Sequence, residues 1–157
     1  LLPGQDEGEA DLFLLEGLRE VLAKGIELGV PVALEPEPGH RVETLAQYNA
    51  IVSELTELRL TIDVSHVSVS TPEGTASEAI RTHASRLALV HIEDAPAGGH
   101  EHLPFGEGDL DVTGIVGALK DIEFAGICAV ELSRHSHAAH ELTAASLAAL
   151  RRAEAGA

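Results

Sequence analysis

From Asp11 to Gly29 the apolar positions Leu14, Leu15, Leu18, Val21, Leu22 and Ile26 recur at steps of three and four, which predicts an amphipathic helix. Asp11 is placed to cap its start and Gly29 to stop it. The period then changes. Val30-Pro31-Val32-Ala33-Leu34 is a short continuous apolar run broken by Glu-Pro-Glu-Pro-Gly, the pattern of a buried strand that ends in a polar loop. A helix from Glu43 to Leu55 follows, with Leu45, Tyr48, Val52 and Leu55 on one side.

The alternation repeats three more times. Leu58 to Ile62 reads as a second strand running into Asp63-Val64-Ser65-His66, before a helix around Ala76 to Ser85. Leu87 to Val90 reads as a third, running into His91-Ile92-Glu93-Asp94. After a Gly-rich loop from Ala97 to Gly108, Asp111 can cap a helix carrying Val112, Ile115, Val116, Leu119 and Ile122. Gly126 to Val130 is the fourth strand, followed by Glu131-Leu132-Ser133 and a helix from about Ala138 to Arg152. A helix followed by four strand-helix units, with apolar strands that need cover on both faces, predicts an all-parallel α/β sheet.

Composition narrows the picture. The chain has 157 residues and a formal charge of -16, enough for one domain or part of one. Such a charge repels a phosphate backbone, and no basic cluster exceeds Arg151-Arg152, so nucleic acids and anionic membranes are not expected partners. With no Met or Trp, three Phe and one Tyr, the core must be aliphatic. Cys128 is the single cysteine, which excludes an intrachain disulfide and a thiolate cluster and fits a reducing, cytoplasmic setting; within its strand it reads as buried filler. No run approaches the roughly 18 apolar residues of a membrane span. The first residue is Leu1 rather than Met, which reads as a processed chain or a piece of a longer one.

The chemistry lies where the strands end. Glu35, Asp63, His91 and Glu131 each follow or close a strand, spaced 28, 28 and 40 residues apart, which is one strand-helix unit each time with the Gly-rich loop added to the last. Any one of them alone would be an ordinary strand-end polar residue. Four in register converge at one edge of a parallel sheet, where such proteins keep their active sites. Three carboxylates packed together repel unless something neutralises them, and a divalent cation does so. Three oxygen donors and one nitrogen, with no sulfur, suit Mn²⁺, Mg²⁺ or Co²⁺, with Zn²⁺ also accommodated.

Further candidates surround this set. His66, three residues after Asp63, can lean over the site as a substrate donor or as a partner that orients a ligand, and in His100-Glu101-His102 the alternate residues, His102 foremost, can add one more ligand or polarise a substrate oxygen. Arg134, just after the fourth strand, is a candidate anion holder, because loops after the last strands of parallel barrels often bind phosphate. His135, His137 and His140 read as a solvated turn.

At these residues the sequence resembles the xylose isomerase-like TIM barrel superfamily, the sugar phosphate isomerases and epimerases related in fold to endonuclease IV. The resemblance rests on ALEPEPG at 33–39, IDVSH at 62–66, VHIED at 90–94, LPFGEGD at 103–109 and VELS at 130–133, in the family's order. It implies that Glu35, Asp63, His91 and Glu131 bind one divalent metal and that His66 contacts substrate. It further implies that Glu35 and Glu131 trade a proton in isomerisation or epimerisation of a small sugar, sugar phosphate or hydroxy-ketone through an enediolate. A full (β/α)₈ barrel needs about 250 residues. Residues 1–157 thus correspond to its C-terminal half, with either a missing N-terminal half barrel or a second copy, in a homodimer, to cover the open edges. Alternatives on the same resemblance are an endonuclease IV-like phosphodiesterase, an inosose-type dehydratase and a noncatalytic half-barrel.

Overall fold

The computed structural model describes residues 6–71 and 75–157. Helix α1 (Glu7–Leu28) leads into β1 (Ala33–Leu34), α2 (Leu45–Val52) and β2 (Arg59–Asp63). Two short helices, α3 (Val64–Ser70) and α4 (Ala76–Thr82), precede β3 (Leu87–Ile92); α5 (Val112–Asp121), β4 (Ile127–Val130), a 3₁₀ turn (Ser136–Ala138) and α6 (Ala139–Gly156) complete the order. The strands form one sheet in the order β1-β2-β3-β4, every pair parallel. This is the expected all-parallel α/β architecture, amounting to part of a barrel.

Local chemistry explains most element ends. Thr44 caps α2 and Thr75 caps α4, each with a reciprocal bond from the third helical residue, Gln47 and Glu78. Asp111 caps α5 by accepting from the Gly114 amide, as its position suggested. At the end of α1, Gly29 takes φ 67°, the left-handed conformation that glycine adopts without Cβ strain, and its N–H meets the carbonyls of Gly25 and Ile26. The start of α1 differs from expectation: Asp6, not Asp11, is the cap, accepting from the Glu9 amide. The helix gains its first turn from Glu7 and Glu9, whose charge favours a helix N-terminus but leaves no apolar mark.

The core sits between the sheet and the helices. Leu60, Ile62 and Val90 of the central strands and Leu58 just before β2 are sealed, and Tyr48 of α2 is fully buried with its hydroxyl donating to the Leu58 carbonyl at 3.1 Å. Truncating Leu60 to alanine removes a sealed side chain from strand β2 and is expected to cost about 2–5 kcal/mol. A urea midpoint that falls accordingly, with an unchanged slope, is the check.

The sheet is bare at its outer edge. In β4, Ile127 is 68% and Val130 39% exposed, and Cys128 is exposed as well, which corrects the expectation of a buried thiol. Among the described residues no strand neighbours β4 on its far side, and α6 packs chiefly against α5, leaving an apolar groove between itself and the strand. Leu12, Phe13, Val21, Ile26 and Leu28 of α1 are likewise exposed. Among the described residues, no helix is long and apolar enough to cross a membrane.

Candidate metal centre

The four strand-end residues meet. Asp63 and His91 are direct register partners on β2 and β3, Glu35 follows the last residue of β1, and Glu131 follows the last of β4, its amide donating to the Ile92 carbonyl. Each of Glu35, Asp63, His91 and Glu131 offers one donor atom, and these four atoms lie within 4.8 Å of one another. His91 stands at the middle: its Nδ1 is 2.9 Å from Glu131 Oε2 and 3.3 Å from Glu35 Oε1. One neutral imidazole carries one proton on Nδ1, so it cannot donate fully to both carboxylates at once.

Asp63 is divided between two tasks. Its side chain is sealed from solvent, and Oδ1 accepts from the Ser65 amide, the Ser65 hydroxyl and the His66 amide, forming the cap of α3. Oδ2 has no hydrogen-bond partner among the described residues, with imidazole nitrogens no nearer than 3.9 Å. A buried carboxylate oxygen with no hydrogen-bond donor is costly, and a cation is the partner that resolves it. The donor chemistry and this orphaned oxygen both fit a divalent ion held by Glu35, Asp63, His91 and Glu131. Burial raises the Glu35 carboxyl above its ordinary range, with His91 opposing and Asp63 reinforcing the shift.

The histidines called from the sequence fall unevenly. His66 is buried, its Nδ1 3.2 Å from the Pro36 carbonyl and 3.5 Å from Glu35 Oε1, and its Nε2 3.9 Å from Asp63 Oδ2. His102 Nδ1 lies 3.9 Å from the same oxygen, and the rings of His100 and His102 both stand edge-on to His66, at 5.9 and 6.0 Å. Asp63, His66 and His102 therefore form a second cluster joined to the first through Asp63. Arg134 is exposed and pairs with no acidic group among the described residues. His135 and His137 stack on each other at 6.2 Å.

Sequence reasoning missed Glu93. It is fully buried, and its Oε1 lies 3.3 Å from the Ser65 amide and 3.8 Å from His102 Nδ1. The signal was present, because residues two apart in a strand share a face and Glu93 follows His91 by two. Asp94, pointing the other way, holds the loop that carries His102. Its carboxylate accepts from the amides of Ala95, Gly106 and Leu110, and its backbone bridges to Leu103. A Cβ at Gly108 would stand 2.4 Å from Asp94 Oδ1, so that close approach requires glycine.

Burial first, and the facing Asp63 carboxylate second, push the Glu93 carboxyl up to about 9. It is protonated in the folded chain at neutral pH and ionised in the unfolded one. It contributes stability that is complete below its unfolded value of 4.5 and is lost as pH rises toward 9. In ion-free protein the unfolding free energy is expected to fall over that interval by up to about 1.4 kcal/mol per pH unit. Glu93→Gln, neutral throughout, should flatten the decline in urea titrations run at several pH values; an unchanged decline would contradict the assignment.

The xylose isomerase-like TIM barrel family model matches residues 1–153. Among solved structures, the chain is similar to the IOLI protein with a bound zinc atom, at 23% identity and TM-score 0.74, over 97% of this chain and 59% of that one. It is similar to 3-keto-D-glucoside 4-epimerase, YcjR, from E. coli, at 22% identity and TM-score 0.75, over 97% and 58%. D-psicose 3-epimerase from Clostridium cellulolyticum H10 aligns at 20% identity and TM-score 0.72, over 95% and 57%. Among curated proteins, none matches the sequence. The chain thus spans under three fifths of the length of these solved relatives. By its match over nearly all its residues, with four parallel strands in barrel order, the chain belongs to the xylose isomerase-like TIM barrel family.

Proposed function

We propose that residues 1–157 form the C-terminal half of a barrel that isomerises or epimerises a small sugar, sugar phosphate or hydroxy-ketone with the help of one divalent cation. The observation that carries this reading is the convergence of Glu35, Asp63, His91 and Glu131 to within 4.8 Å, with Asp63 Oδ2 unpartnered. Mn²⁺, Mg²⁺ or Co²⁺ suits the donors, and Zn²⁺ is supported as well by the zinc in the IOLI structure. When bound, the cation supplies positive charge opposite the oxygens of an enediolate.

The protein's own groups supply the rest. Glu35 and Glu131 reach the site from the ends of the two outer strands and both approach His91 Nδ1, at 3.3 and 2.9 Å. One would take the proton beside the substrate carbonyl and the other return it to the opposite face, as epimerisation requires. His66 and His102 hold substrate oxygens, and Arg134 takes an anionic group if the substrate carries one. The catalytic unit needs a second wall over β1 and β4, supplied by a preceding half-barrel or by a second copy.

Titration with Mn²⁺, followed by a ketose in D₂O, tests the reading. One ion per chain and ion-dependent deuterium incorporation at the carbon beside the carbonyl are expected. Failure to bind any divalent ion would overturn it. The exposed edge of β4 favours a second reading, a half-barrel that holds the ion without turnover, and an ion-loaded chain that never incorporates deuterium would select that one.

A further inference from the structure

The loop between β3 and α5 carries His100 and His102, and its base is fastened at one residue. Asp94 is 3% exposed, and its carboxylate accepts three backbone amides: Ala95 at 2.9 Å and Leu110 at 3.1 Å on Oδ1, and Gly106 at 2.8 Å on Oδ2. Its main chain bonds Leu103 in both directions, at 3.0 and 2.8 Å. A Cβ at Gly108 would collide with Asp94 Oδ1 and with the Ala95 backbone, so the loop passes this close only as glycine. The ring of His102 has no such fastening of its own. Its Nδ1 is sealed without a hydrogen-bond partner, and among the described residues no carboxyl oxygen comes nearer than 3.8 Å. The backbone therefore decides where the ring stands.

His100 has no part in the reaction described above, yet it stands with the groups that do. His100 and His102, two residues apart, both set their rings edge-on to His66, at 5.9 and 6.0 Å. His66 is buried and His100 exposed, so the three imidazoles run from the interior out to solvent. None of Glu35, Asp63, His91 and Glu131 lies on this loop. We propose that residues 95–110 form a prebuilt recognition arm for the substrate's outlying hydroxyl groups, with His100 as an additional contact beside His102 and Asp94 as the residue that positions both.

The arm deepens the proposed function and rests on it for the identity of the ligand. A neutral imidazole donates from one nitrogen and accepts at the other, which matches hydroxyl groups. Three in a row offer a polyhydroxy ketone partners away from the carbon that exchanges its proton. The Asp94 carboxylate, satisfied by three amides, needs neither ion nor substrate to hold the loop. The arm therefore stands before the ligand arrives, which lowers the ordering cost of binding. Recognition is then separable from ion binding: the loop can be loosened with all four proposed ion ligands intact.

Histidine ring spectra of the ion-free protein test the positioning, with His100 and His102 assigned by the signals lost in His100→Gln and His102→Gln. Asp94→Asn keeps one accepting oxygen but turns an N–H₂ group toward one of the three donors, and Gly108→Ala presses on the same carboxylate from the loop side. Each should move the His100 and His102 signals toward those of free histidine while His83 and His91 keep theirs. Each should also speed hydrogen exchange at the Gly106 or Leu110 amide by about tenfold or more, the worth of a hydrogen bond to a charged group. A lowered urea midpoint with both rings unmoved would make Asp94 a stabilising residue only and overturn the proposal. If neither variant folds, the wild type decides, since fast exchange at Gly106 and Leu110 in the ion-free chain would mean that the arm is not prebuilt. For the contact itself, His100→Gln should raise the KM of D-fructose in the deuterium-exchange assay by about tenfold, more than it lowers kcat. An unchanged KM in protein that turns D-fructose over would remove His100 from the arm. Failure to bind Mn²⁺ or to exchange deuterium would count against the proposed reaction alone, because rings and amides are read without either.

Discussion

Asp63→Asn is expected to weaken Mn²⁺ binding by about 100-fold or more, beyond the 10–100-fold that loss of an outer hydrogen-bond partner costs a metal site. The substitution is chosen because the two oxygens of Asp63 have separate duties. Oδ1 caps α3 through the amides of Ser65 and His66, and an asparagine carbonyl does the same. Oδ2, sealed and without a donor, becomes an amide nitrogen that repels a cation instead of binding it. The variant should keep its helix content and urea midpoint while titration calorimetry records the lost affinity. Binding that survives unchanged would remove Asp63 from the ligand set.

Glu131→Gln should reduce deuterium incorporation by about 10²–10⁴-fold, the range a positioned acid or base contributes. Glu131 follows the edge strand, and its Oε2 lies 2.9 Å from His91 Nδ1. Glutamine keeps the shape and still offers an oxygen to the ion, but cannot accept a proton. With Glu35, Asp63 and His91 intact, ion binding should fall far less than the exchange rate, and measuring both on one preparation separates the roles. Equal losses in both would make Glu131 a ligand only.

The sheet and the four strand-end residues were legible because their physics is short-range. Apolar runs announce parallel strands buried on both faces, and a unit length of 28 residues sets side chains next to each other at one edge. Helix α3 was not legible: VSHVSVS offers only Val64 and Val67 at helical spacing, too short a pattern to announce a helix, and Asp63 caps its start. Cys128 was misread because the rule that parallel strands are covered assumes a neighbour beyond β4, where the described residues supply none. The Asp6 cap was hidden among acidic residues that all look alike from sequence. His102 was legible only as a candidate, since its placement depends on Asp94 gathering three amides across a 16-residue loop.

The uncovered rim of β4 also bears on colloidal behaviour. In dilute buffer a formal charge of -16 keeps two molecules beyond reach of each other's unpaired backbone groups. At 0.1 M ionic strength the Debye length shrinks to about 10 Å. Counterions then mask the repulsion while leaving the strand's N–H and C=O groups as adhesive as before. Self-association of this chain should therefore strengthen with ionic strength, the reverse of what a contact built from opposite charges would do.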